Sequence, residues 1–281
     1  MVFTTLISAG QLAARLTDPA FLIVDCRFKL GDDGWGKREY LARHIPGAVY
    51  ADLEHDLSGR KTGRNGRHPL PEPQVLTGTF SRLGIAHGTQ VVAYDQDSGM
   101  FASRLWWLLR WLGHDAVAVL DGGFVKWIGA AGPVSAGDEH RDPRTFRGTL
   151  GGNAIVGADD IAARLRQPGW RLLDARAPER YRGDVEPLDK VAGHIPGAAN
   201  HCFQGNLDEH GMFHSPEELR AQFSAAIGDV PPDQVVCYCG SGVTACHNLL
   251  ALEHAGLHGA RLYPGSWSEW SSDPSRAIEK G

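Results

Sequence analysis

The sequence predicts an α/β protein made of two similar halves, each a largely parallel sheet flanked by helices. Three observations carry this reading. Short apolar runs alternate with helical patterns along the chain, the whole pattern occurs twice at a nearly constant offset, and one cysteine, Cys239, stands where an apolar run gives way to a helical stretch. Apolar runs of four or five residues bounded by turn residues are typical of strands buried on both faces. Their alternation with helices favours parallel pairing.

The repetition fixes the organisation. Leu12-Ala-Ala-Arg-Leu16 recurs as Ile161-Ala-Ala-Arg-Leu165, Asp25-Cys26-Arg27 as Asp174-Ala175-Arg176, and His44-Ile-Pro-Gly-Ala48 as His194-Ile-Pro-Gly-Ala198, offset by 149 or 150. Further on, Val91-Val-Ala-Tyr-Asp95 pairs with Val235-Val-Cys-Tyr-Cys239, and Leu120 to Trp127 with Tyr263 to Trp270, offset by 143 or 144. A period of this length denotes a duplicated domain. The division expected along the chain is a first domain at 1–135, a polar Gly- and Pro-containing linker at 136–152, and a second domain at 153–281.

In the first half, Ala13-Ala14-Arg15-Leu16 reads as helix, and Phe21–Val24, Val91–Tyr94 and Ala116–Leu120 read as strands. Trp106, Trp107 and Trp111 lie on a helical pattern and are expected to pack. In the second half the strands are Trp170–Leu173, Gln234–Tyr238 and Ala260–Leu262. Ser215-Pro216-Glu217-Glu218 is a capping box with proline at the first helical position, announcing a helix to about Ile227. Cys246 to Ala255 reads as a further helix, closed by Gly256.

Composition excludes several classes of function. The chain is 42% hydrophobic and 22% charged with a formal net charge of -5, which gives no global attraction to nucleic acid or to an anionic membrane. The apolar stretch Leu105 to Leu112 is interrupted by Arg110 and is too short to span a bilayer. Thr4, Thr5, Ser8 and Gln11 interrupt the N-terminal region, so no signal peptide is expected. Cysteines 26, 202, 237, 239 and 246 are odd in number and lack disulfide-scaffold spacing, which fits a reducing cytoplasm. Cys237 and Cys239 are two apart with no matching second pair, so no metal is expected.

Cys239 opens the run CGSGVTA, residues 239 to 245. Two glycines and small or β-branched residues allow the backbone to curl around the sulfur with several amide N–H groups free to face it. The following helix start adds partial positive charge, and together these favour a thiolate or an anionic group attached to it. In parallel sheets ligands sit at such carboxyl ends of strands. The counterpart in the first half is Asp95, so that half is non-catalytic and each chain has one active site.

Two His-Ile-Pro-Gly-Ala boxes, two Asp-x-Arg strand ends, Leu120-Asp-Gly-Gly-Phe-x-x-Trp127, the CGSGVTA loop and Gly265-Ser-Trp-Ser-Glu-Trp270 together resemble the tandem-domain rhodaneses, the thiosulfate and 3-mercaptopyruvate sulfurtransferases. The resemblance implies two rhodanese-like domains and a double displacement. Cys239 accepts a sulfane sulfur from a small-molecule donor, and the persulfide passes it to cyanide or a thiol, a thiol-reductant protein among the acceptors. The amides of Gly240, Ser241, Gly242, Val243 and Thr244 would hold the anionic persulfide, with no metal or organic cofactor. The neutral Gly240-Ser241 resembles the loops of mercaptopyruvate enzymes and favours 3-mercaptopyruvate over thiosulfate. Of the two substrate arginines of those enzymes, the first maps onto Arg180 and the second onto Leu188. Lys190 or Arg182 is the nearest substitute for the missing charge, although lysine cannot make a bidentate carboxylate contact. Glu54 and His68 match an acidic residue and a histidine that approach the equivalent of Ser241 and act in proton transfer. Two other readings stand beside this one: a cysteine phosphatase, which requires an arginine where Ala245 stands, and a persulfide carrier or regulatory module without turnover.

Overall fold

The structure, a computed structural model, describes residues 2–152 and 154–281. The chain forms two compact units, Met1–Gly59 with Pro71–Gly151 and Glu209–Met212, and Arg60–Leu70 with Gly152–Asp208 and Phe213–Gly281.

The first unit holds strands β1 (Leu6–Ile7), β2 (Phe21–Asp25), β3 (Val49–Tyr50), β4 (Gln90–Tyr94) and β5 (Val117–Leu120), in the order β1-β5-β4-β2-β3 with every pair parallel. Its helices are α1 (Ala9–Ala13), α2 (Trp35–Ala42), α3 (Pro73–Arg82), α4 (Ala102–Trp111) and α5 (Gly123–Gly129). The apolar run at 91–94 is central for the expected reason, since all of β4 is buried between its neighbours. Helix α1 starts earlier than the Ala13–Leu16 pattern implies, because Ser8 and Gln11 form a reciprocal capping box, and the chain turns directly after it. Trp106 and Trp107 are buried on α4, and the Trp106 indole donates to the Thr4 carbonyl at 2.8 Å.

The second unit repeats the plan with β6 (Arg171–Asp174), β7 (Ala199–Asn200), β8 (Val235–Tyr238) and β9 (Arg261–Leu262) in the order β7-β6-β8-β9, again all parallel. A parallel bridge from Ile155 to Leu262 takes the place that β1 has in the first sheet. Helices α6 (Ala158–Ala162), α7 (Pro178–Arg182), α8 (Pro216–Ile227), α9 (Thr244–His254) and α10 (Ser266–Trp270) flank it. The Ser215 hydroxyl accepts from the Glu218 amide and Glu218 reaches back to Ser215, so α8 has the expected limits.

The repeated boxes are structural in both units. Arg27 forks onto Asp25 and Arg176 onto Asp174, each at 2.6 Å and each fully buried. Each guanidinium also donates to a backbone carbonyl, of Arg43 or Gly193, and lies over an aromatic ring, of Phe124 or Trp267. A buried pair with its remaining donors satisfied in this way holds its geometry without an uncompensated charge. Ile45 and Ile195 donate their amides to the hydroxyls of Tyr94 and Tyr238, tying each His-Ile-Pro-Gly-Ala turn to the central strand.

Compactness departs from the linear division in three places, one of them Glu209–Met212, which groups with the first unit. Residues expected as linker run along the first unit: the amides of Arg144, Thr149 and Gly151 donate to the carbonyls of Ser81, Leu112 and Trp111, and Phe146 packs edge-on against Phe80. Residues 60–70, in the first half by sequence, belong to the second unit. No helix among the described residues is long and apolar enough to cross a membrane.

Candidate functional site

The site is assembled around the turn between β8 and α9. Cys239 follows the last residue of β8, its side chain almost sealed at 2% exposure, and its Sγ receives the amide N–H groups of Gly242 at 3.1 Å and Ser241 at 3.5 Å. Helix α9 begins at Thr244, so its positive end adjoins the same loop. Gly242 has φ +78°, and a Cβ there would lie 2.3 Å from the Pro264 carbonyl oxygen. Only glycine permits this curl. Val243 is buried, and Cys246, in the first turn of the helix, donates its thiol to the Gly242 carbonyl at 3.3 Å.

A second layer fixes the loop from outside. The carbonyls of Cys239 and Gly240 accept from the amides of Trp267 and Ser268, both at 2.9 Å. The Cys239 amide donates to the Ser266 hydroxyl at 3.1 Å, and that hydroxyl donates to the Tyr263 carbonyl at 2.9 Å. Ser266 achieves this at φ +56°, a left-handed conformation that disfavours side chains. Its repeat partner Gly123 has the same φ, and there the Phe124 amide donates to the Asp95 carbonyl as Trp267 does to that of Cys239.

Asp95 reveals what such a loop binds. Its carboxylate, 1% exposed, accepts the amides of Gly99 at 2.9 Å, Phe101 at 2.7 Å and Ala102 at 3.1 Å. Burial raises its pKa even against those donors. The first unit's strand-loop-helix is therefore an anion cradle already filled by its own side chain. In the second unit the same position carries sulfur.

Ser241 is also buried, and its hydroxyl lies 2.8 Å from His68 Nδ1. His68 is 3% exposed and comes from the 60–70 segment that packs with the second unit. Glu54 is half-buried in the first unit, on a turn whose amides Asp52 caps.

Gly240 is flanked by cations. A methyl group there would lie 2.9 Å from Arg67 Nη2 and 3.5 Å from Arg180 Nη1 and Nη2. Arg180 forks onto Glu186 at 2.7 and 3.0 Å, and Glu186 also accepts the amides of Leu188 and Asp189. Burial works against the charged Glu186, but the Arg180 hydrogen bond and these amides prevail and hold its carboxyl below the usual range. Arg67 pairs with Asp189, whose other oxygen lies 3.6 Å from Arg180.

The substitutes expected for the second arginine fare differently. Leu188 is 45% exposed and carries no charge. Arg182 does not supply one at the loop: its guanidinium pairs with Asp184 at 2.8 Å on an exposed stretch, because α7 ends there at Gly183 and the side chain follows the turn outward. Lys190 lines a cavity of about 450 Å³ together with Lys61, Gly66, Arg67, Asp189 and Ser268. No periodicity or repeat in the sequence marks Arg67. The available signal was its place directly before His68. Among the described residues no group of three or more His, Cys, Asp or Glu side chains could hold a metal ion. Ala245, where a phosphatase needs its arginine, is buried in α9.

Residues 8–130 and 157–273 each match the family model of the rhodanese-like domain. A protein of Pseudomonas aeruginosa named "probable 3-mercaptopyruvate sulfurtransferase" is 50% identical over 278 residues, 98% of each chain. The thiosulfate sulfurtransferase of Bos taurus is 34% identical over 279 residues, 96% of this chain and 93% of its own. The crystal structure of SseA from Escherichia coli, described as a 3-mercaptopyruvate sulfotransferase, superposes with a TM-score of 0.82 at 31% identity, covering 94% of this chain and 99% of its own.

Proposed function

The chain belongs to the rhodanese family, and from that premise we propose that it is a sulfurtransferase working by a Cys239 persulfide, with 3-mercaptopyruvate as the favoured donor and thiosulfate next. The carrying observation is the Cys239 sulfur in an amide cradle, Gly242 N–H at 3.1 Å, whose repeat partner holds a carboxylate. A cradle that binds an anion in one half is suited to stabilise thiolate and persulfide anions in the other.

The Cys239 thiolate attacks the donor sulfur. A Cys–S bond to that sulfur forms while the sulfur–carbon bond of 3-mercaptopyruvate breaks, its electron pair leaving on carbon as the enolate of pyruvate. The thiol proton of the donor is transferred to that carbon, giving pyruvate and an anionic persulfide. With thiosulfate the sulfur–sulfur bond breaks and sulfite leaves with the pair. Cyanide or a thiolate then attacks the outer sulfur, and the thiolate of Cys239 is regenerated.

The neutral Gly240-Ser241 pair and the Ser241–His68 contact support the keto-acid donor, because that route has a proton to move and a serine–histidine pair within hydrogen-bond reach can move it. Arg180 is the carboxylate ligand in this reading. The acceptors are cyanide, small thiols or a thiol-reductant protein, and five free cysteines support a reducing cytoplasm. Residues 153–281 form the catalytic domain, completed by the 60–70 segment.

The test measures kcat/KM for 3-mercaptopyruvate and for thiosulfate with cyanide as acceptor, and the mass of the Cys239 peptide after donor alone. Turnover with a higher value for 3-mercaptopyruvate and one added sulfur atom is expected. Labelling without turnover would make the chain a carrier, and neither would end the proposal.

A further inference from the structure

The family's second substrate arginine is missing at Leu188, yet the structure brings a second guanidinium to the loop by another route. Arg67 lies in the 60–70 segment, far from Arg180 in sequence, and its Nη2 is 2.9 Å from the place a Gly240 Cβ would occupy, with both Arg180 Nη atoms at 3.5 Å from the same point. Gly240 directly follows Cys239, so both cations flank the residue beside the reacting sulfur. Two guanidinium groups converging on one point form a fork for a carboxylate.

Carboxylates already meet both guanidiniums: Arg180 forks onto Glu186 at 2.7 and 3.0 Å, and Asp189 approaches Arg67 and Arg180 together. Asp189 pairs with Arg67 through Oδ1 and stands 3.6 Å from Arg180 through Oδ2. Its Oδ2 is buried without a hydrogen bond, and Arg67 and Asp189 both line the 450 Å³ cavity. A buried carboxylate oxygen left without a donor holds its place weakly. A ligand entering the cavity meets the two groups together.

We propose that Arg67 and Arg180 form the site that binds the donor's carboxylate, and that Asp189 occupies this site until the donor exchanges with it. The inference rests on the sulfurtransferase reading and adds a binding residue and an internal competitor to it. The exchange explains how a loop without basic residues accepts an anionic donor, and why Leu188 needs no charge.

The test compares wild type, Arg67→Ala, Arg67→Lys and Asp189→Asn. One readout is kcat and KM for 3-mercaptopyruvate. The other, independent of turnover, is the ratio of Cys239 alkylation rates with iodoacetate, an anion, and iodoacetamide, its neutral analogue. Loss of one charge-assisted pair predicts that Arg67→Ala raises KM about 10- to 100-fold with a smaller change in kcat, and lowers the alkylation ratio by about 10-fold. Arg67→Lys should fall between. Asp189→Asn should act with the opposite sign, lowering KM and raising the ratio several-fold, which loss of local structure would not do. An unchanged ratio in Arg67→Ala, or a fall in both Arg67→Ala and Asp189→Asn, overturns the inference. If wild type turns over no donor while the ratio still responds as stated, the sulfurtransferase reading fails and the anion site stands.

Discussion

Ser266 is the residue whose replacement best tests the account of the loop, because two terms with opposite signs meet there. Its hydroxyl satisfies the buried Cys239 amide at 3.1 Å, while its backbone sits at φ +56°. Ser266→Ala leaves that amide without an acceptor, at about 1–3 kcal/mol, and keeps the left-handed conformation. Ser266→Gly removes the same acceptor but relieves about 1–2 kcal/mol of left-handed strain, partly offset by the roughly 0.5–1 kcal/mol that glycine's freedom in the unfolded chain costs. Alanine is therefore expected to destabilise by about 2 kcal/mol and glycine by about 1 kcal/mol. Urea unfolding followed by tryptophan fluorescence reads the order, and the rate of Cys239 alkylation by iodoacetamide reports whether the loop has loosened. A glycine variant less stable than the alanine variant would refute the reasoning, since it would mean that strain at Ser266 is not what the hydroxyl compensates.

Cys239→Ser is expected to abolish sulfur transfer and leave near-UV circular dichroism unchanged, because the hydroxyl fits the cradle but does not form a persulfide. Arg180→Ala should lower kcat/KM for 3-mercaptopyruvate by about 10-fold or more, whereas Lys190→Ala and Arg182→Ala should change it less than about 3-fold; steady-state kinetics decides, and equal effects would remove the distinction drawn from their partners. Glu186 is held below the usual carboxylate range, so the stability it contributes is fully present above its unfolded value of about 4.3 and is lost as pH falls through the lower folded value. Urea midpoints between pH 6 and pH 2.5 should therefore fall less steeply at the acid end for Glu186→Gln than for wild type.

The doubled sheet was legible because duplication states each signal twice: Val91–Tyr94 and Val235–Tyr238 are the central strands of their sheets, and the paired Asp-x-Arg boxes become paired buried ion pairs. Helix α8 was legible to the residue because capping is local chemistry. Strands β1, β3 and β7 were not, since two residues show no period, and the equally short β9 was legible only as the repeat counterpart of Ala116–Leu120. The second cation was invisible for a different reason. Arg67 reaches Gly240 by tertiary placement of a polar, glycine-containing segment with no periodicity, whereas Arg182, near Arg180 in sequence, pairs outward with Asp184, and Lys190 lines the cavity beside Arg67. The second guanidinium beside Gly240 comes from residues 60–70, more than a hundred positions from Arg180 along the chain.

The carboxylate of Asp95 has a consequence for how the chain meets a crowded solution of small anions. Because it is tethered to the loop and, unlike Asp189, meets backbone amides with both of its oxygens, sulfite, thiosulfate or carboxylates do not displace it. The first unit thus keeps the architecture of an anion receptor with its occupancy permanently set at one. An isotherm for a small anion at the loop cradles should saturate at a single equivalent per chain, so duplication of the fold has not duplicated the open cradle.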